Sequence, residues 1–392
     1  MTIPASAYTE RRARVTERLA DRDEDALLVW GEPHGSLGLL GTPNDIGYLA
    51  EWPLRQPGSG PAVLVVPQDG VPALLVAGPR YAPVYARERT ELADVRRVDP
   101  ADFATETKAV FDDRGIDPDQ LGVVRWDDLP VQVADRLTAA FGPDRLTDAT
   151  DLFETIRMTK REPAITALER AAGICDELFG TCSQTVTPDA EYHTVLTELE
   201  GHARDRGTEF VTTWLASGPR GGTYPAFEPD PGGRAIADGD LVVIGIQLLN
   251  DNHWGHAIRA GVVGEPTRDQ QALYQVVDEV RQTVFERARP GVDIADLHDT
   301  VQSIYADAGY EPCFRTLHGL GLQYGGPPVF PQSGPEASVP SLELQPGMVF
   351  EIHPNIWAGP DGAEFIAVGD MAVVTDTGIE RLTTAPEALA RW

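Results

Sequence analysis

The 392-residue sequence predicts a mixed α/β protein with a small α/β domain followed by a larger α+β domain. Two observations support this fold class: short apolar strands alternate with helical patterns in the first ~150 residues, and from Asp151 the helices become longer and the strands fewer. The composition, 42% hydrophobic and 24% charged, is that of a globular protein. We therefore divide the chain into residues 1–154 and 155–392, in line with ~150 residues per domain.

In the first part, a helix with one apolar face is predicted over 8–20. Apolar runs bounded by turn residues predict the strands, and a stretch with two Gly and two Pro, 54–61, predicts a loop. The predicted strands are 26–30, 62–66, 72–76 and 121–124, and a second helix is predicted over 130–141.

In the second part, helical spacing predicts two long helices at the start and two more after the middle strands, namely 163–184, 190–205, 269–289 and 293–308. Apolar runs predict strands over 241–247, 257–263, 348–352 and 370–375.

The charge balance excludes polyanionic partners. There are 61 acidic residues against 32 basic ones, a net charge of −29. Binding to nucleic acid or to an anionic membrane requires a basic surface, and none is visible. A small molecule is the expected partner.

The expected location is the cytoplasm. The longest apolar run, 241–249, is shorter than the ~18 residues that a membrane span needs. The first ten residues lack the basic start and apolar core of a signal peptide. The three cysteines, Cys175, Cys182 and Cys313, have the spacing of neither a zinc ribbon nor a disulfide framework, which is typical of a reducing compartment.

Four stretches of the second part resemble the creatinase, prolidase and aminopeptidase P family, whose catalytic domain has the pita-bread fold. They are IRMTKRE at 156–162, GDLVVI at 239–244 followed by Ile258 and Arg259, HGLGL at 318–322, and LQPGMVFEIHP at 344–354. The closing segment 374–383 also fits, and residues 44–51 resemble a turn in the N-terminal domain of such proteins.

The resemblance implies a curved antiparallel sheet, a homodimer, and two divalent metals held by two Asp, one His and two Glu. In this sequence the five ligand positions fall, in order, on Gly245, His256, His318, His353 and Gly369. Every carboxylate ligand is therefore replaced, and only the histidine is kept.

Two further family histidines are also missing. The position of the first, seven residues after the metal-binding histidine, falls on Gly325. The second lies in the family on the loop before Gly239 and has no counterpart here. The residues near that position are Tyr224, Phe227 and Glu228. Two metals of total charge +4 would then lack counter-charge in a site of low dielectric. We expect no proline-peptide cleavage by the dinuclear mechanism.

The remaining pattern favours a mononuclear metal site. By the resemblance, His256, His318 and His353 lie at positions that converge on one of the two family metals. Three imidazoles with an open position suit one divalent transition metal: Zn, Fe, Mn or Cu. The alternatives are catalysis by His318 or His353 without metal, and a site whose ligands have decayed.

Glu351 lies two residues before His353 on a predicted strand, so both side chains should share a face. A carboxylate there could act as general base, orient an imidazole or be a fourth ligand. It could equally be an exposed residue at a strand edge. The same alternation groups Gln247 with Gly245 and Trp254 with His256, and an amide and an indole suit a small polar substrate.

Other substrate-binding candidates follow from the resemblance to creatinase, in which the N-terminal domain of the partner subunit covers the site. Trp52 and Arg55 could cover the substrate and clamp a carboxylate, and Tyr224 stands near the missing relay histidine. A solvated Arg55 is the alternative. Arg220 and Arg315 are similar candidates.

Three functions remain open at this stage. The first is a metalloenzyme acting on a small polar molecule, by hydrolysis of a C–N bond, by elimination or by oxygen chemistry. The second is a metal-free, creatinase-like hydrolase with histidine as base. The third is a binding module built on a peptidase fold.

Overall fold

The computed structural model describes residues 3–31, 44–52, 60–222, 234–312, 314–326, 339, 341–358 and 364–392. The chain forms two compact units, Thr2–Arg157 and Met158–Trp392, whereas the sequence suggests a boundary after residue 154. No described helix is long and apolar enough to cross a membrane.

The N-terminal unit is an α/β unit, as the sequence predicts. Its helices are α1 (Ala5–Asp21), α2 (Asp45–Leu49), α3 (Ala82–Arg89), α4 (Phe103–Arg114), α5 (Val131–Phe141) and α6 (Thr150–Met158), the last residue of which already belongs to the second unit. Its strands are β1 (Ala26–Gly31), β2 (Ala62–Pro67), β3 (Ala73–Ala77), β4 (Asp94–Val98), β5 (Leu121–Val124) and β6 (Leu146–Asp148).

The six strands form one sheet in the order β4-β3-β2-β1-β5-β6. The strand pairs β1–β2 and β2–β3 are antiparallel and the other three pairs are parallel. The turn at Asp69–Gly70 joins β2 to β3 in an antiparallel hairpin, and Gly70 adopts there a φ of 137° that other residues avoid. Apolar runs do not predict β4 and β6, because charged residues interrupt the apolar ones in both strands.

The C-terminal unit contains the longer elements. Its helices are α7 (Ala164–Thr185), α8 (Tyr192–Asp205), α9 (Arg268–Arg287) and α10 (Ile294–Ala308). Its strands are β7 (Phe210–Gly218), β8 (Leu241–Asn250), β9 (His253–Val262), β10 (Leu317–Gly319), β11 (Val349–Ile352), β12 (Asn355–Ala358), β13 (Glu364–Ala367), β14 (Asp370–Val374), β15 (Ile379–Arg381) and β16 (Ala390–Arg391).

Two four-stranded sheets carry this unit, in the orders β16-β9-β8-β7 and β10-β11-β14-β15, with a β12-β13 pair beside them. Every pairing except β16–β9 is antiparallel. All four predicted helices and all four predicted strands are confirmed. A bridge between Ile258 and Gly369 joins the edge of the first sheet to the second.

The alternation of side chains along β8 decides which face carries the site. Val242, Ile244 and Ile246 pack with residues of α7 and α8, whereas Leu241 and Val243 pack with residues of α9, α10 and β11. Because side chains alternate along a strand, positions 245 and 247 face the second group.

Asp370 links the two sheets through a buried ionic cluster. Its carboxylate accepts hydrogen bonds of 2.7 Å from Arg259 on β9 and from the Thr383 hydroxyl, and lies 3.4 Å from Arg281 and 3.7 Å from Arg381. Burial opposes ionisation, yet the three guanidinium groups hold the pKa of Asp370 below its usual range. The carboxylate therefore neutralises part of a buried cationic cluster.

Replacing Asp370 by Asn should destabilise the C-terminal unit by about 3–5 kcal/mol, since the buried guanidinium groups lose their shared counter-charge. Denaturant unfolding of D370N measures this. The exposed Asp376, on the turn after β14, provides the control, and D376N should change stability by less than about 0.5 kcal/mol. Equal stabilities of the two variants would contradict the role given to Asp370.

Candidate active site

Two paired strands position the first half of the site. Gln247 on β8 lies directly opposite His256 on β9, and both are buried. The side chains of both residues lie on the same face of the sheet as Ile258 and Ala260, which pack in the core beside α9 and α10. An amide and an imidazole are therefore presented side by side from the same sheet.

The second sheet supplies the other groups. His318 on β10 pairs with Glu351 on β11, and His353 follows one residue after β11 ends. The backbone of His353 is held in place, because its N–H donates to the Thr316 carbonyl at 2.7 Å and its carbonyl accepts from Asn355 Nδ2 at 2.9 Å. Glu351 is fully buried, so its alternative as an exposed residue is wrong.

The three predicted histidines come together. Their ring centres are 5.8 Å apart for His256 and His318, 5.6 Å for His256 and His353, and 4.7 Å for His318 and His353. Glu351 joins them, with Oε1 3.7 Å from His256 Nδ1. The sequence pattern thus identified four side chains that meet in one buried cluster.

Most polar atoms of this cluster have no hydrogen-bond partner within the described part of the chain. They are Nε2 of His256, Nε2 of His318, both ring nitrogens of His353 and both carboxyl oxygens of Glu351. Buried polar atoms are ordinarily satisfied, because each orphan costs about 1–3 kcal/mol. A cluster of orphans in a native fold is typical of a site that receives a ligand.

Burial decides the protonation of these groups. It lowers the pKa of His318 to about 3 and lowers the pKa of His256 and His353 well below the usual value, with neighbouring histidines adding to the effect on the last two. Burial, with Asp370 nearby, raises the pKa of Glu351 well above its usual value. At neutral pH the imidazoles are uncharged, with lone pairs available.

Tyr324 extends the cluster through a short relay. Gln247 Nε2 donates to Tyr324 Oη at 3.1 Å, and Tyr324 Oη lies 3.2 Å from His256 Nδ1. Burial raises the pKa of Tyr324, so the phenol stays neutral. Nδ1 of His256 thus has a partner, and Nε2 is its ring nitrogen that lacks one in the described part of the chain.

A tryptophan occupies the space next to Gly245. Trp214 on β7 lies directly opposite Gly245, and a Cβ at residue 245 would overlap its indole ring. Trp214 packs in turn against Phe365, with ring centres 6.0 Å apart. An aspartate at this position would therefore require the indole to leave.

Glu351 occupies the space next to Gly369. A Cβ at residue 369 would meet Glu351 Oε1 and would lie 3.0 Å from Cγ1 of Ile258. The structure thus shows why both positions are glycine: side chains from other strands fill the volume that a longer residue would need.

The residues at the site could supply the ligands of one metal ion but not those of two. Residues 245 and 369 offer no ligand, whereas three neutral imidazoles and a carboxyl group are a common set for one transition metal. Imidazoles bound at adjacent tetrahedral positions have ring centres roughly 5 Å apart, close to the separations found here. No three His, Cys, Asp or Glu side chains in the described ranges are already arranged to hold a metal ion.

The predicted substrate-binding residues have different outcomes. Trp254 is buried on β9 with its ring centre 5.7 Å from that of Tyr324, and no described group pairs with its Nε1. Trp52 is buried in the N-terminal unit, where its carbonyl accepts from Asn44 Nδ2. Arg55, Tyr224 and Cys313 lie outside the described residues. His253, expected in a loop, instead begins β9 and is buried.

Sequence reasoning missed two neighbours of the cluster, Tyr324 and Phe314. The Phe314 ring stacks on His353 with ring centres 5.1 Å apart, and the Tyr324 ring lies 4.8 Å from that of His318. Both flank the HGLGL motif: Phe314 lies four residues before His318, and Tyr324 lies six residues after it. Nearness to that motif was the available signal, but aromatic residues are too common in cores to stand out.

Two family models match the chain. The model described as metallopeptidase family M24 matches residues 166–376, and the creatinase/prolidase N-terminal domain matches residues 11–159. Together they cover both structural units.

Among curated proteins, the chain is 28% identical over 243 residues to an Xaa-Pro dipeptidase of Pyrococcus horikoshii, covering 61% of this chain and 66% of that protein. It is 28% identical over 248 residues to the probable dipeptidase PepE of Mycobacterium tuberculosis, covering 62% of each. These alignments therefore span less than two thirds of either relative.

Solved structures show the same fold over nearly the whole chain. The prolidase of Pyrococcus horikoshii superposes with a TM-score of 0.77 at 22% identity, over 96% of this chain and 99% of that one. Dipeptidase PepE of Mycobacterium ulcerans superposes with a TM-score of 0.81 at 22% identity, over 100% and 99%. The expected pita-bread fold is confirmed.

Adding one methyl group at residue 245 should destabilise the protein. G245A should lower the free energy of unfolding by about 1–3 kcal/mol, because the Trp214 indole has to move. G173A is the matched control, since a Cβ at Gly173 on α7 meets nothing within 4 Å. The double variant W214A/G245A should lose less than the sum of its single changes, and full additivity would contradict the steric explanation.

Acid should destabilise the metal-free protein through the buried imidazoles. His318 has a pKa of about 3 when folded and about 6.5 when unfolded. As the pH falls below the unfolded value, the unfolded state takes up a proton that the folded state refuses, so stability falls. From about pH 7.5 to about pH 5 this amounts to about 2 kcal/mol for one imidazole.

Unfolding titrations of wild type, H318Q and H202Q measure this effect. H318Q should lose about 2 kcal/mol less than wild type over that range, because glutamine does not titrate. The raised pKa of Glu351 makes stability rise as the pH falls. Glu351 is present in all three proteins, so its contribution cancels in the comparison. Exposed His202 is the control, and a wild-type slope in H318Q would contradict the prediction.

Proposed function

We propose, given that the chain belongs to metallopeptidase family M24, that it is a hydrolase of small polar molecules that works without the dinuclear metal site and cleaves a C–N bond at a mononuclear site. The observation that carries this proposal is the buried cluster of His256, His318, His353 and Glu351, most of whose ring nitrogens and carboxyl oxygens lack a partner among the described residues. The homologues named dipeptidases make hydrolysis the favoured reaction class.

The three histidines would hold one Zn, Fe, Mn or Cu ion. When bound in such a site, a divalent metal activates water and polarises the carbonyl of a substrate. Neutral imidazoles are the form that binds metal, and burial keeps them neutral. His318 Nδ1 lies 3.0 Å from the Gly319 carbonyl, and a hydrogen bond there leaves Nε2 with its lone pair.

Glu351 would move the proton. Hydrolysis forms a C–O bond from water, breaks the C–N bond and requires a proton on the departing nitrogen. In its ionised form Glu351 would accept the proton of water and return it to that nitrogen, and its raised pKa makes the carboxylate a stronger base. Gln247, Tyr324 and Trp254 would orient the substrate, since they border the cluster with amide, phenol and indole groups.

A second candidate is the metal-free hydrolase with histidine as base. His353 would be the base, because both of its ring nitrogens lack a described partner. Metal content separates the two candidates.

The cytoplasmic location, the homodimer and the covering roles of Trp52 and Arg55 remain predictions. Light scattering tests the dimer. Retained activity of a dimer carrying R55A, at an unchanged KM, would contradict the clamp.

Metal analysis by mass spectrometry on untagged protein tests the principal proposal. Wild type reconstituted with each candidate ion should hold about one metal per chain, and H256A and H353A should lose it, because removal of a ligand typically costs tenfold or more in affinity. H202A is the control and should keep the metal. Two metals per chain, or none with any ion, would overturn the mononuclear site. Hydrolysis of Xaa-Pro dipeptides by a form with two metals per chain would also overturn the mononuclear site.

A further inference from the structure

A tyrosine links one histidine of the cluster to a buried amide. Tyr324 Oη lies 3.1 Å from Nε2 of Gln247, which donates to it, and 3.2 Å from Nδ1 of His256. Glu351 Oε1 also approaches that ring nitrogen, but at 3.7 Å it is too far for a hydrogen bond. Gln247, Tyr324 and His256 therefore form one hydrogen-bonded relay.

The hydrogens of these three groups give the relay a direction. Burial raises the pKa of Tyr324 and lowers that of His256, so the phenol keeps its hydrogen and the neutral imidazole carries one N–H. Tyr324 Oη accepts from Gln247, which leaves its O–H to donate to His256 Nδ1. The hydrogen of the imidazole is then on Nε2. With the hydrogen on Nδ1 instead, the phenol would accept twice, and its own O–H would lack an acceptor within the described ranges.

His318 has the opposite tautomer. Its Nδ1 lies 3.0 Å from the Gly319 carbonyl, and a carbonyl only accepts, so Nδ1 carries the hydrogen and Nε2 keeps its lone pair. His353 has no described partner at either ring nitrogen, so no described contact selects its tautomer. Of the three histidines, His256 is the one whose contacts place a hydrogen on the unpartnered nitrogen.

The amide oxygen of Gln247 allows the relay to reverse. Gln247 is buried, and its Oε1 has no hydrogen-bond partner among the described residues. A half-turn of the amide exchanges its oxygen and nitrogen, so that the O–H of Tyr324 can donate to the oxygen. The phenol then accepts from Nδ1 of His256. Both hydrogen bonds of the relay are kept in the reverse direction, and Nε2 of His256 gains a lone pair.

We propose that Tyr324 and Gln247 are positioning residues that select the tautomer of His256 and reverse their hydrogen bonds when this histidine binds a metal. The hydrogen on Nε2 moves to Nδ1 through water, and the O–H of Tyr324 turns from Nδ1 to the amide oxygen, so no charge changes on the protein. Because only the reversed form binds metal, the affinity is reduced in proportion to the fraction of that form in the metal-free protein. The relay itself needs no metal, whereas its link to metal binding rests on the proposed function.

Nitrogen-15 NMR of histidine-labelled protein, freed of metal by a chelator, tests the relay, since it distinguishes a protonated ring nitrogen from an unprotonated one. In wild type, His256 should carry its hydrogen on Nε2 and His318 on Nδ1, and the H256Q spectrum identifies the His256 signals. Y324F should leave His256 as a mixture of tautomers and His318 unchanged. Y81F, at exposed Tyr81, is the control and should match wild type.

Two results of this experiment would overturn the relay. One is a hydrogen on Nδ1 of His256 in metal-free wild type, and the other is an unchanged His256 in Y324F. The wild-type spectrum alone decides the tautomer if Y324F fails to fold.

Zinc titration measures the link to metal binding. In zinc-loaded wild type, the hydrogen of His256 should be on Nδ1. Q247M removes the acceptor that the reversed phenol needs and leaves the bond from Tyr324 to His256 intact, so zinc affinity should fall about tenfold. In a Y324F background the same change should alter the affinity by less than about twofold, because the amide no longer reaches His256. Q132M, at an exposed position of α5, is the control.

Equal losses from Q247M in the two backgrounds would overturn the link, since a purely structural effect of the amide does not depend on the phenol. Zinc bound while the hydrogen of His256 stays on Nε2 would overturn it too.

The two measurements separate this proposal from the proposed function. If wild type holds none of the four candidate ions but shows the Tyr324-dependent tautomer of His256, the mononuclear site is wrong and the relay stands without its link to metal. If wild type holds one zinc per chain but His256 carries its hydrogen on Nδ1 before zinc is added, the mononuclear site stands and the relay is wrong.

Discussion

Two glycines of the C-terminal unit have the space of a Cβ filled by a side chain from elsewhere in the chain, and the site depends on this constraint. Trp214 lies against Gly245, and Glu351 lies against Gly369. Protein interiors are close-packed, so a volume left by one residue is filled by another. An indole and a carboxyl group thus stand where longer side chains would have to go.

The side chains that lie against these glycines affect the electrostatics of the site as well as its shape. A dinuclear centre balances two cations with several carboxylates, whereas this cluster has three neutral imidazoles and one carboxyl group with a raised pKa. The buried carboxylate of Asp370, next to Gly369, is engaged by Arg259, Arg281 and Arg381. That ionic cluster holds the two sheets together and leaves Glu351 as the acidic group of the site.

The sequence was most informative about residues whose position in the fold follows from the alternation of side chains along a strand. Strand alternation placed Glu351 with His353 and Gln247 with Gly245, and the burial of these strands agrees. It failed for Tyr324 and Phe314, although they lie close to His318 in sequence, and for Trp214, which reaches Gly245 only because β7 pairs with β8. Their aromatic side chains have no signature that separates a site residue from a core residue.

The sequence alone determined the two-part α/β organisation and the family, because hydrophobic periodicity and motif spacing are local properties of a chain. Tertiary structure decided which side chains lie against Gly245 and Gly369, and which polar atoms of the cluster lack a partner among the described residues. Those features depend on volumes and distances between residues far apart in sequence. Periodicity and spacing do not encode such distances, which arise only when the strands pair and the core packs.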